Sequence, residues 1–345
     1  MRTLENAPLA ERTTLRLGGP ARRIVEVDDE AELVEVVRAA DAAGDPLLVL
    51  GGGSNLVVAD EGFDGTVVDV RTRGVDVESD ACGGAMVRVA AGEVWDDLVL
   101  QAVDTGWVGV EALAGIPGRV GAVPIQNVGA YGQEVAQTVA SVRTLDRRTG
   151  AIATVAAPDC GFGYRSSRFK SDPDAALMLS VTFQFLLGDL GAPIAYTELA
   201  RTLDAAAGDR VPAKAVRESV LGLRAGKGMV LDADDHDTWS AGSFFTNPLL
   251  SAAQVAALPD EVPRWPQPDG TLKASAAWLI GQAGFGKGYG DGAIRLSTKH
   301  TLALTNRGGG TTAELLALAR EIRDGVRERF GVDLVNEPVT VGCTL

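Results

Sequence analysis

Three short segments carry side chains whose types and spacing could do chemistry. In CGFGYRSSRFK (160–170), Tyr164 and Arg165 follow two glycines, with Arg168 and Lys170 behind. A guanidinium offers a carboxylate planar, bidentate donors that a lysine cannot reproduce, although an ordinary basic surface loop has the same composition. AGSFFTNP (241–248) sets Ser243 in a small turn before two aromatics. A serine there either caps the turn or presents its hydroxyl to a ligand. LVNEPVTVG (334–342) places Glu337 inside an apolar run, where a carboxylate is costly unless paired or used.

What is scarce narrows the chemistry further. The chain has two histidines, His236 and His300, far apart in sequence. Histidine-based metal sites and Ser-His-Asp catalysis are therefore not expected, and no metal is assigned. The three cysteines, Cys82, Cys160 and Cys343, are scattered and odd in number, which argues for reduced thiols rather than a disulfide framework.

Two glycine-rich stretches could hold a large ligand by its phosphates and backbone contacts. LLVLGGGSNLVV (47–58) runs from an apolar strand into Gly51, Gly52, Gly53, Ser54, Asn55 and Leu56. Bare backbone amides and small side chains can wrap a pyrophosphate without Cβ clashes. It is not a Rossmann fingerprint, since a strand-like LVVAD follows instead of a helix. GIPGRVGAVPIQNVGAYG (115–132) is too long for a simple turn, and loops of this length inside a domain are usually functional. Together the two suggest an extended ligand such as a dinucleotide.

The elements that must position these residues follow from the hydrophobic pattern. Strands are expected at 22–27, 46–50, 66–70 and 86–92. A first helix should follow Asp28 and Asp29 and stop at Gly44, and a second should span 93–106. Further strands are expected at 139–145, 151–156 and 177–187, and helices at 197–207 and 212–221. Residues 259–270 read as an exposed proline-rich connection and the acidic run 232–237 as a solvated loop. A helix over 273–283, strands at 293–297 and 301–306, a last helix after Thr311 that ends at Gly331, and a strand over 333–342 complete the pattern.

Length and charge set the outer bounds. At 345 residues the chain can form two or three modest domains, with cores built on Ala, Val and Leu since aromatics are only 5%. The net charge of −14 disfavours nucleic acid and anionic membrane as partners. No stretch reads as a signal peptide or a membrane span, so a cytoplasmic protein is expected.

The pairing of GGGSN with GIPGxVGAxPIQNxGAYG resembles the UDP-N-acetylenolpyruvoylglucosamine reductase (UDP-N-acetylmuramate dehydrogenase, MurB) family, and the similarity runs from TTLRLGGPA (13–21) to NEPVTVG (336–342). The resemblance implies an α+β fold: a vanillyl-alcohol-oxidase/PCMH-type FAD-binding fold of two lobes, 1–71 and 72–223, plus a C-terminal α+β substrate-binding domain, 224–345. The last strand could return to the first lobe. It implies noncovalent FAD, held by Gly51, Gly52, Gly53, Ser54, Asn55, Leu56, Gly115, Pro117, Gly118, Gly121, Ala122, Pro124, Gln126, Asn127, Gly129, Ala130, Tyr131 and Gly132. Covalent attachment through a histidine is not expected, because none precedes 236; Cys82 and Cys160 are only formal attachment points.

For the reaction, the resemblance implies NADPH-dependent reduction of UDP-N-acetylglucosamine enolpyruvate to UDP-N-acetylmuramate for peptidoglycan synthesis, by a monomer. Hydride would pass from NADPH to flavin N5 and then to substrate C3. Arg165 would polarise the substrate, Ser243 would protonate C2, and Glu337 would be the C-terminal catalytic glutamate. Tyr164, Tyr196, Arg224, Lys227, Asn247, Lys273 and Gln282 match substrate contacts. Thr246 stands where a basic residue is common, and Val335, Asn336 and Pro338 depart from the usual LEPEVR. A flavin oxidase of the same superfamily and a noncatalytic flavin-binding protein are the alternatives.

Overall fold

A computed structural model describes residues 1–80, 84–267 and 269–345. Cys82 lies outside the described residues. The chain divides into two compact units: 1–7, 21–52 and 64–226 form the first, and 8–20, 53–63 and 227–345 the second. One division falls inside GGGSN, between Gly52 and Gly53.

In the first unit, one sheet has the strand order Arg2–Pro8, Pro20–Val27, Phe63–Val70, Leu47–Leu50. Its last two strands run parallel, Leu47 opposite Thr66, which requires a crossover between elements rather than a hairpin. A second, antiparallel sheet has the order Ile152–Ala156, Val139–Asp146, Ala176–Leu187, Gly84–Ala90, Val75–Asp80. The expected helix after Asp29 is Glu30–Ala43. The Asp29 carboxylate accepts from the amides of Ala31 and Glu32, and Gly44 closes the helix in a left-handed conformation. Trp95–Thr105 and Ala213–Gly226 are the other long helices of this unit. Val25, Leu33, Trp95, Phe183, Phe185 and Val220 belong to one buried cluster, so both sheets and all three helices share a core.

The second unit is built on shorter strands. Leu249–Leu250, Leu272–Ala274 and Arg264–Pro266 form one antiparallel sheet, and Ile294–Leu296 pairs with Leu304–Asn306. Val339–Val341 runs parallel to Leu56–Val58. The Thr312–Phe330 helix opens on a reciprocal cap between Thr311 and Glu314. Its first amides also donate to Asp60, at 2.7 Å from Thr312 and 2.9 Å from Ala313. Phe244, Phe245, Leu279, Leu315 and Ile322 pack in its core.

Several expectations are corrected. The helix expected over 197–207 is only Thr197–Thr202 and the one over 212–221 extends to Gly226. The proline-rich 259–270 contains a paired strand, and the 273–283 helix begins at Ala276, after a strand. The terminal strand expected over 333–342 is only Val339–Val341, and before it Asn336 makes a single antiparallel bridge to Phe245. The 232–237 run is not wholly solvated: Asp237 is buried, accepting from Ser297, the Thr298 amide and hydroxyl, and Arg307.

Candidate active site

The first unit holds the long glycine loop by its main chain. The amide of Trp95 donates to the Gly118 carbonyl at 3.1 Å. The amides of Val120 and Gly121 each donate at 2.9 Å, to the carbonyls of Glu93 and Ala91. Asp96, in the first turn of its helix, accepts the Gly115 amide at 2.7 Å through one oxygen and Arg217 at 3.0 Å through the other. Gly52 packs directly on this loop: a Cβ there would stand 2.6 Å from the Gly118 Cα. Two side-chain-free backbones thus lie against each other, the arrangement a pyrophosphate-binding cradle needs. The residues therefore fit a dinucleotide such as FAD.

Beyond Gly118 the loop becomes strained and polar. Asn127, Tyr131 and Arg165 are non-glycine residues with left-handed φ values of 47°, 49° and 51°. Such conformations cost on the order of 1 kcal/mol or more each and gather at functional sites. The Asn127 side chain is committed inside the protein. Its Nδ2 donates to Glu134 at 2.8 Å and to the Gly163 carbonyl at 3.1 Å, and its Oδ1 accepts from the Ala136 amide at 3.0 Å. Its own backbone amide donates to the Pro124 carbonyl at 3.4 Å, and the residue is buried.

Arg165 is brought to the same loop: its Nη2 donates to the Gly129 carbonyl at 2.6 Å. The Tyr164 ring centroid lies 5.3 Å from its guanidinium carbon, and Lys170 donates to its carbonyl at 3.1 Å. Arg168 instead points to the Asp159 carbonyl in an exposed setting. Tyr131 and Tyr196 meet edge to face at 5.4 Å. Arg224, in the Ala213–Gly226 helix, is held below the ordinary arginine pKa by burial, an effect countered by Tyr131 and Asp96.

Cys160 bears on covalent attachment. It is fully buried, and burial pushes its thiol up to about 11. It is un-ionised at neutral pH and a poor nucleophile.

In the second unit, main-chain pairing brings the segments that carry Ser243 and Glu337 side by side. The Glu337 amide donates to the Phe244 carbonyl at 2.8 Å, Phe245 bridges antiparallel to Asn336, and the Thr246 amide donates to Val335 at 3.0 Å. Asn55 joins this pair: its Nδ2 donates to the Glu337 carbonyl at 3.4 Å and its own carbonyl accepts from Val339 at 2.9 Å. Asn247 Oδ1 accepts the Ala276 amide at 3.0 Å, tying the serine segment to the helix that ends in Gln282. The Lys273 ammonium lies 5.9 Å from the Trp265 ring centroid. Lys227 opens the 227–345 segment. Among the described residues, no group of His, Cys, Asp and Glu is arranged to hold a metal ion.

Three carboxylates escaped the sequence reading. Asp96 and Glu134 support the long loop as described. Glu111, with no exposed surface, accepts from the amides of Gly109 and Ala192 and from Gln133 Nε2. Ala192 leads into the Tyr196 segment and Gln133 follows Gly132, so Glu111 fastens both tyrosine-bearing stretches. The only signal was an acidic residue flanking a glycine loop.

Its similarity to known proteins makes the chain a flavin-binding oxidoreductase of mixed α and β structure. Residues 21–156 match the model of an FAD binding domain, and residues 234–341 match that of the UDP-N-acetylenolpyruvoylglucosamine reductase C-terminal domain. The chain is 56% identical to the reductase of that name from Streptomyces coelicolor and 56% identical to that from Cutibacterium acnes. In each case the match covers 99% of this chain and 91% of the relative. The crystal structure of the Thermus caldophilus reductase (MurB) superposes with a TM-score of 0.65 at 25% identity, covering 99% of this chain and 98% of that one. The chain belongs to the UDP-N-acetylenolpyruvoylglucosamine reductase family.

Proposed function

We propose that the protein reduces UDP-N-acetylglucosamine enolpyruvate to UDP-N-acetylmuramate with NADPH, a cytoplasmic step toward peptidoglycan, acting as a monomer. FAD, bound noncovalently, supplies the hydride relay between NADPH and substrate C3. We assign its binding to the backbones of the two glycine motifs, within lobes 1–71 and 72–223, together with Ser54 and Asn55. No helix among the described residues is long and apolar enough to cross a membrane.

The protein's own residues divide the remaining work. Arg165 grips the substrate carboxylate and stabilises the charge that develops as C3 is reduced, with Tyr164 against its guanidinium. Glu337 shares a hydrogen bond with the enolate-like intermediate, and Ser243 delivers the proton to C2. Arg224, Lys227 and Lys273 offer cations to the diphosphate. Tyr196 covers the substrate, and Asn247 and Gln282 contact it. Donors placed at a developing charge are commonly worth about 3–4 kcal/mol each.

The observation that carries this reading is the pairing that holds Glu337 beside Phe244, next to Ser243. It gives an acid and a hydroxyl a fixed register without histidine or metal. The test is Ser243→Ala. Flavin bleaching by NADPH should stay near the wild-type rate, while recovery on adding the enolpyruvyl substrate should slow by about 10²–10⁴-fold. Equal loss of both steps would remove Ser243 from the proton-donor role.

A further inference from the structure

Glu134 belongs to neither the flavin motifs nor the substrate residues, yet its carboxylate decides how two loops meet. It is acceptor-only when ionised, so the Asn127 group facing it at 2.8 Å must be the amide nitrogen. The second Nδ2 hydrogen then goes to the Gly163 carbonyl at 3.1 Å, and Oδ1 receives the Ala136 amide. The flipped amide would set an oxygen against a carboxylate and a carbonyl, and an NH2 against an N–H. Glu134 is itself anchored: its side chain accepts the Gln137 amide, while its own amide donates to the Gln137 side chain at 3.0 Å.

Gly163 opens the turn that carries Arg165. Its amide donates to the Ser166 carbonyl at 3.0 Å and its carbonyl accepts the Ser166 amide at 3.2 Å, with Arg165 left-handed between them. The guanidinium then returns to the Gly129 carbonyl. Gly129 is enclosed by the same two residues: a Cβ there would stand 2.9 Å from Glu134 Cγ and 3.0 Å from Arg165 Nη1.

We infer that Glu134 is a positioning residue for Arg165, acting through the Asn127 amide and the 163–166 turn to set the guanidinium that grips the substrate carboxylate. This rests on the reading of Arg165 given above. The carboxylate acts without touching substrate, and the left-handed turn supplies the need for it, since a strained conformation persists only while its surroundings hold it.

The test compares Glu134→Ala, Glu134→Gln and Arg165→Met as FAD-loaded full chains in anaerobic stopped flow. For Glu134→Ala, compared per bound flavin, the expected result is NADPH bleaching near the wild-type rate, with reoxidation by the enolpyruvyl substrate slowed about tenfold or more and its KM raised, the scale of loss that displacing a clamp by a fraction of an ångström produces. Glu134→Gln keeps a carbonyl acceptor for Asn127 and should recover most of the rate. If Glu134→Ala does not fold, Glu134→Asp carries the test, with the same selective slowing by about threefold or more. Wild-type reoxidation in the Ala or Asp variant, alongside slow reoxidation in Arg165→Met, would overturn the positioning role alone. Equal loss of both half-reactions in the Glu134 variants would overturn it too, and wild-type reoxidation in Arg165→Met would overturn the clamp on which it rests.

Discussion

The main-chain amide of Glu337 donates a 2.8 Å hydrogen bond to the carbonyl of Phe244. Because the bond is made by backbone, it holds the glutamate beside the residue that follows Ser243 whatever the side chains are. The adjoining Phe245–Asn336 bridge and the 3.0 Å bond from Thr246 to Val335 fix the register on either side.

Glu337→Gln should therefore leave the fold intact. Flavin reduction by NADPH should also persist. Reoxidation by the enolpyruvyl substrate is expected to fall by about 10²-fold or more, measured in the same stopped-flow experiment.

Gly52→Ala tests the cradle. The new Cβ would meet the Gly118 Cα at 2.6 Å and its carbonyl carbon at 3.2 Å, both backbone atoms that cannot swing aside. Titration of the apoprotein with FAD should show affinity weakened about tenfold or more, equal to about 1.4 kcal/mol. Unchanged affinity would show that the 52–118 contact does not shape the flavin site.

Glu111→Gln tests the buried anchor. Every group facing the Glu111 carboxylate is a donor: the amides of Gly109 and Ala192, and Gln133 Nε2. A side-chain NH2 in place of either oxygen meets an N–H. Loss of about 1–3 kcal/mol in unfolding free energy is expected. The Tyr131–Tyr196 contact should loosen with it.

Cys160 gives a pH dependence. Its thiol ordinarily titrates near 9.0 and is pushed up to about 11 in the fold by burial. A raised folded value means that the protonated thiol adds stability fully below pH 9.0, and that this is lost as pH rises from there through 11. Cys160→Ala should flatten the alkaline fall in stability. At pH 8 only about one thiol in a thousand is ionised, so alkylation of Cys160 in the folded protein should be far slower than after unfolding.

The sequence displays best what is local. The Asp29 and Gly44 caps and the threonine cap of the last helix each depend on neighbours within a few positions, and their helices stand where expected. What stayed hidden depends on partners far along the chain. Arg2–Pro8 is a mostly exposed edge strand of mixed residues with no clean alternation, and it is fixed by pairing rather than by pattern. The burial of Asp237 needs Ser297, Thr298 and Arg307, some 60 to 70 positions later. Glu111 needs Ala192, 81 positions away. The residue types of Arg165, Ser243 and Glu337 were legible, but the tethers that orient them were not.

The most direct test of the account is to follow flavin absorbance anaerobically in the purified protein, adding NADPH first and the enolpyruvyl sugar nucleotide second. Bleaching is expected on the first addition and recovery on the second, with formation of UDP-N-acetylmuramate. A protein that bleaches but recovers only when oxygen is admitted would contradict it and mark a flavin oxidase, and one that takes up no FAD would contradict the reading of both glycine motifs.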